Sequence, residues 1–137
     1  MTDELIQAQV SATRVACRRM SDVHLKALQD SVDQACRVPS GLHWDRKAAA
    51  HAEIFNVLAD ATDDPLAAPV LSNGVGFAYD LMVAAGHAVD GMIASSRQRL
   101  LACLRAGDAE GAALEMEKHL RVLHYMWRVA NCAARRG

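Results

Sequence analysis

Ala106-Gly107-Asp108-Ala109-Glu110-Gly111-Ala112-Ala113-Leu114-Glu115-Met116-Glu117-Lys118-His119-Leu120 is the stretch from which the fold of this chain is read. A glycine suited to ending one helix is followed at once by an aspartate suited to capping the next. Beyond that boundary Ala112, Met116, Leu120, Leu123, Trp127 and Ala130 recur at steps of three and four. That spacing keeps side chains on one face of a 3.6-residue helix, so a long helix is expected from Asp108 to about Ala133.

Upstream, Ile93, Leu100, Leu101 and Leu104 give the apolar face of a helix from about Val89 to Arg105, set off by Gly86-His87. The segment before it is helical in composition but holds Ser72-Asn73-Gly74 and Gly76, which could kink or split it before Ala85. Thr62-Asp63-Asp64-Pro65 breaks the chain, with the proline suited to the first turn of the next helix. Ala48, Ile54, Phe55, Leu58 and Ala61 stripe a single helix from about His43 to Ala61. Val38-Pro39-Ser40-Gly41 is a turn, Ser21 caps a helix running to about Cys36, and a first helix spans about Asp3 to Arg19. No hairpin signal, internal repeat or second domain interrupts the pattern. The expectation is an all-α, antiparallel bundle of six to seven helices, in one domain over residues 1–137.

Composition agrees. Of the 137 residues 52% are hydrophobic but only 4% aromatic, so alanine, leucine, valine and methionine must build the core. Alanine, leucine and methionine are strong helix formers. The formal charge of −1 and pI near 6.6 leave no basic footprint for nucleic acid. No basic-then-apolar leader opens the sequence, and no apolar run approaches the roughly 18 residues of a membrane span, so a cytoplasmic protein is expected. Cys17, Cys36, Cys103 and Cys132 are scattered without metal-site spacing and are expected to be reduced core residues.

Three polar side chains fall on apolar stripes: His119 beside Met116 and Leu123, His51 one turn before Phe55, and Arg97 among Ile93, Leu100 and Leu101. Each has a plain structural reading. A histidine on such a face is commonly a hydrogen-bonded core residue, and an arginine at a stripe edge can snorkel to water. The sharper reading places all three in one cavity. A buried guanidinium needs an anion, no carboxylate on these stripes is its evident partner, and a bound carboxylate would satisfy it. His24, His43, His87 and His124 fall at helix ends or stripe margins, and Trp44 and Trp127 are packing anchors. The motifs of di-iron carboxylate bundles, zinc proteases, phosphate loops and serine hydrolases are missing, so no enzyme activity is expected.

Ala50-His51-Ala52-Glu53-Ile54-Phe55-Asn56-Val57-Leu58-Ala59-Asp60-Ala61-Thr62-Asp63-Asp64-Pro65 resembles the signature helix of the FadR-type C-terminal ligand-binding domain of GntR-superfamily transcription regulators. Ser96 to Asp108, continued by Ala109 to Leu120, resembles that family's later helix junction, and Val15-Ala16-Cys17-Arg18-Arg19-Met20-Ser21-Asp22 is similar to its opening two helices. The resemblance implies a helical bundle that senses a small organic acid or a fatty acid or acyl thioester. It also implies a homodimer, and DNA contact through a winged helix-turn-helix domain that these 137 residues do not supply. Many members hold a divalent metal through one aspartate and three histidines. Laid on this chain, those positions are His51, Phe55, Arg97 and His119. Only His51 and His119 remain as ligands for zinc or nickel, and no tightly bound cofactor is expected. Arg97 in a histidine's place would grip a carboxylate directly, with His51 and His119 as hydrogen-bond partners and Phe55 making the pocket more apolar. Two alternatives stay open: a dimerisation module with a vestigial, filled pocket, and a metal-binding helical-bundle enzyme.

Overall fold

The computed structural model describes residues 2–39 and 43–136, the side chains of 134–136 excepted. Seven α-helices account for nearly all of them: α1 (Thr2–Arg18), α2 (Asp22–Arg37), α3 (Trp44–Ala52), α4 (Ile54–Thr62), α5 (Ala67–Ala85), α6 (Asp90–Arg105) and α7 (Ala109–Arg136). A 3₁₀ turn, His87–Val89, leads into α6, and no strand occurs among the described residues. The architecture is an all-α bundle.

The boundaries follow local chemistry. Ser21 caps α2: its hydroxyl accepts the His24 amide and the His24 ring reaches back to the Ser21 amide, closing a capping box. At the α6–α7 junction Gly107 takes φ 69°, which only a residue without Cβ adopts freely. The Asp108 amide donates to Cys103 O and the Gly107 amide to Leu104 O, the paired bonds of a Schellman ending. Asp108 Oδ1 then accepts from the Gly111 amide at 2.9 Å and caps α7. Asp64 receives the Leu66 and Ala67 amides ahead of α5, so Pro65 stands in a capped turn just before the regular helix.

One helix expectation is corrected and one open point is decided. The single helix expected over His43–Ala61 is two helices parted at Glu53, and α5 runs unbroken through Ser72, Asn73, Gly74 and Gly76. Gly74 has a packing reason: a Cβ there would lie 2.6 Å from both Gln9 Oε1 and Phe55 Cδ1, so glycine lets α1 and α4 close on α5. The turn expected at 38–41 falls partly outside the described residues.

α5 packs against α1, α3, α4 and α7; α7 also lies along α1 and α6; α2 covers α3, α4 and α6. Between them the stripes read from sequence form one core, with Ala48, Ile54, Phe55, Leu58, Ile93, Leu100, Leu101, Met116, Leu120 and Leu123 each at most 1% exposed. Trp44 anchors α3 by donating its indole N–H to Met82 O at 2.8 Å. The cysteines do not all join this core. Cys17 is buried and Cys103 half-buried, but Cys36 and Cys132 are exposed, and none is disulfide-bonded. Helical periodicity tolerates cysteine on either face, so position in a helix did not fix their burial.

Candidate functional site

Arg97 is the largest fully buried side chain among the described residues, 1% exposed at the middle of α6. It does not snorkel. Its guanidinium donates from Nη1 to His119 Nε2 on α7 at 3.2 Å and from Nη2 to the His51 carbonyl on α3 at 3.1 Å. Its carbon lies 5.8 Å from the Phe55 ring centroid, a cation over an aromatic face. Of the four residues picked from sequence, the His119 and Phe55 rings meet the guanidinium, whereas His51 reaches it only through its carbonyl; its imidazole, expected as a hydrogen-bond partner of Arg97, is bonded to Asp90 instead. The break at Glu53 contributes to this: where α3 ends, the carbonyl of His51 turns to Arg97 instead of extending the helical ladder.

No carboxylate contacts the guanidinium among the described residues. Asp90, in the first turn of α6, bonds His51 Nε2 at 3.0 Å and lies 3.6 Å from Lys47 Nζ. Lys47 is itself buried, donating to Cys36 O and Val38 O at the end of α2. Asp90 thus neutralises Lys47 and orients His51, and Arg97 keeps a positive charge held only by neutral acceptors. Burial pushes its pKa down to about 10, which still leaves it cationic at neutral pH.

Both histidines are neutral. Burial and the nearby Arg97 charge hold His119 well below the usual imidazole range. Burial also lowers His51, against the opposing effect of its hydrogen bond to Asp90. Arg97 can only donate, so His119 Nε2 accepts and its proton resides on Nδ1; ionised Asp90 can only accept, so His51 carries its proton on Nε2. Because the unfolded histidines titrate near 6.5 and the folded ones lower, the unfolded chain binds more protons below that value. Stability is expected to be full above about pH 6.5 and to fall as the pH drops toward 5. Thermal melts across that range check this, and His119→Gln should flatten the decline.

Zinc or nickel does not fit this donor set. His119 Nε2 is taken by a cation, His51 Nε2–H is engaged by Asp90, and one free imidazole lone pair remains, on His51 Nδ1. A metal ion would also stand against the fixed charge of Arg97. Among the described residues no group of three or more histidine, cysteine, aspartate or glutamate side chains is arranged for a metal.

A recess of about 100 Å³ between α6 and α7 reaches His119 and Ser96 from the surface, with Arg99, Lys118 and Glu115 at its wall. Glu115 is buried and paired with Arg99. Of the histidines set aside from sequence, His24 serves the α2 cap, His43 and His87 are exposed, and His124 stacks on Trp127 at 5.8 Å. Sequence reasoning missed Gln9, Lys47 and Asp90. Lys47 precedes His51 by one turn, and Gln9 shares the buried face of α1 with Ile6, Val10 and Thr13, so the helical spacing that exposed Arg97 also marks them.

Compared with family models, with curated proteins and with solved structures, the chain matches none. Among the described residues no helix is long and apolar enough to cross a membrane.

Proposed function

We propose that this chain is the ligand-sensing and dimerisation domain of a GntR-superfamily, FadR-type transcription regulator, taking a small carboxylate or fatty-acyl ligand at Arg97. The observation that carries this reading is a wholly buried arginine, held by a neutral imidazole and a carbonyl, with no protein carboxylate against it among the described residues. A cation in that position is costly unless an anion joins it. The guanidinium keeps its Nε–H without a protein partner, so a carboxylate could pair with that edge. Phe55 at the ring face suits the apolar remainder of such a ligand. The resemblance to that family, carried by Ala50 to Pro65 and Ser96 to Leu120, supplies the regulator class, the homodimer and DNA contact through a separate winged helix-turn-helix. Ligand binding would act by favouring one of two arrangements of the dimer, through a difference in affinity for them. No catalytic role is assigned to any residue.

A second reading has its own observation. Phe55 is 0% exposed and packs on Arg97, as a filled, vestigial pocket in a dimerisation module would have it. Native mass spectrometry of freshly purified protein separates the two. An organic acid or acyl compound retained without metal is the expected result. One stoichiometric metal ion would overturn the Arg97-centred site, and a ligand-free dimer that takes up no carboxylate would favour the filled module.

A further inference from the structure

We propose that the ligand of this site carries a hydroxyl as well as a carboxylate, and that Gln9 recognises the hydroxyl; this deepens the carboxylate-sensor reading and rests on it. Among the described residues four buried side-chain atoms lack a protein partner: Gln9 Oε1, His51 Nδ1, Arg97 Nε and His119 Nδ1. They belong to one neighbourhood. The His119 ring and the His51 carbonyl bracket the guanidinium, the His51 ring is close enough to feel its charge, and the guanidinium sits over the Phe55 ring. Gln9 Oε1 and Phe55 Cδ1 both lie 2.6 Å from the point where a Cβ on residue 74 would stand, which makes them near neighbours.

Their polarity is fixed by their other bonds. Arg97 Nε–H donates, and His119 Nδ1 donates because its Nε2 accepts from Arg97. His51 Nδ1 accepts because its Nε2–H is given to Asp90. Gln9 is oriented by its bond from Nε2 to Val70 O at 2.7 Å: only the amide nitrogen can donate to a carbonyl, so Oε1 is the atom that lies against Gly74 beside Phe55. The site thus offers two donors beside a positive charge and two acceptors. A carboxylate matches the donors, and the acceptors call for an uncharged O–H, since an ammonium would face Arg97.

Gln9 is 3% exposed on an otherwise apolar face of α1. Tying α1 to α5 uses only its amide nitrogen, and a buried carbonyl oxygen left without a donor costs stability. A ligand hydroxyl gives that oxygen a purpose. Gly74 holds the arrangement open, since any side chain there would press on Gln9 Oε1 and on Phe55.

The test is calorimetric titration of the full chain with straight-chain alkanoates of three to six carbons and with their monohydroxy derivatives. At least one hydroxy acid should bind roughly tenfold tighter than its parent, the worth of one neutral hydrogen bond. Gln9→Met should erase that preference while leaving the parent acid's affinity within about twofold. Gly74→Ala, which presses on the amide and on the Phe55 ring together, should weaken the preference as well. If parent and hydroxy acids bind equally and both depend on Arg97, the role of Gln9 is refuted and the carboxylate site stands. A hydroxyl preference that survives in folded Gln9→Met and Gly74→Ala proteins refutes it too. If no acid of either kind binds, the carboxylate site itself falls, and the hydroxyl with it.

Discussion

Replacing Arg97 with methionine is expected to lower carboxylate affinity by at least about 100-fold, the loss of a charge-assisted pair, while leaving the protein folded and its stability changed by at most a few kcal/mol. The two halves of that expectation come from one physical argument. An ion buried without an opposite charge destabilises the fold, and replacing buried ions with apolar side chains of similar volume is often neutral or stabilising by about 1–4 kcal/mol. Against this, methionine abandons two acceptors, His119 Nε2 and the His51 carbonyl, at about 1–3 kcal/mol for each buried group left unsatisfied. The opposing effects are similar in size, so no collapse is expected. If Arg97 were only a cap for the end of α3, the same substitution would change no binding, whatever it did to stability. Arg97→Lys sharpens the contrast. It keeps the charge but not the planar fork, and should retain weak binding with little preference for a carboxylate. Calorimetry and thermal melts on the three proteins, side by side, check all of this.

Phe55→Ala carries the largest expected effect on stability. The side chain is fully buried at the meeting of α1, α4, α5 and α6, and removing it should cost about 3–5 kcal/mol and lower the melting temperature by roughly 10–17 °C. The space it vacates adjoins a cation, and an apolar cavity of that kind takes up small aromatic molecules. Phenylacetate, with a ring for the cavity and a carboxylate for Arg97, should therefore raise the melting temperature of Phe55→Ala well above its effect on the native chain. Toluene, filling the cavity without the charge, should do less. Equal rescue by the two would mean that Arg97 does not reach an anion from this side.

How much of the fold and site is legible in the sequence divides along a physical line. Boundaries set by local chemistry were readable: Gly107 and Asp108 end and start helices through φ and a carboxylate cap, and Ser21 through its hydroxyl. The stripes identified which residues are buried, Arg97 and His119 among them, because periodicity reports a helix's own faces. It does not report which faces meet. That His51, Phe55 and His119 surround Arg97 depends on α3, α4 and α7 converging on α6, which rests on packing across the chain. The break at Glu53 was invisible for the same reason. No glycine or proline marks it, and the carbonyl freed near it finds its donor 46 positions away. Gly74 was read as a helix breaker on propensity, whereas its role is the close approach of Gln9 and Phe55 to α5. Asp90 escaped notice although it opens the stripe of Ile93 and Arg97 by helical spacing: it stands in the first turn of α6, and its reach to Lys47 and His51 depends on how α6 meets α3.

The claim at the centre is that a carboxylate seats on the buried edge of Arg97. Arginine Nε–H groups exposed to water exchange quickly, whereas one enclosed as Arg97 is should give a persistent proton–nitrogen correlation by NMR. Its assignment comes from its loss in Arg97→Met. Titration with butanoate and its hydroxy derivatives should move this resonance saturably, along with the Nδ1–H of His119. A resonance that stays fixed while the acids bind elsewhere, or while none binds at saturating concentration, would contradict the site.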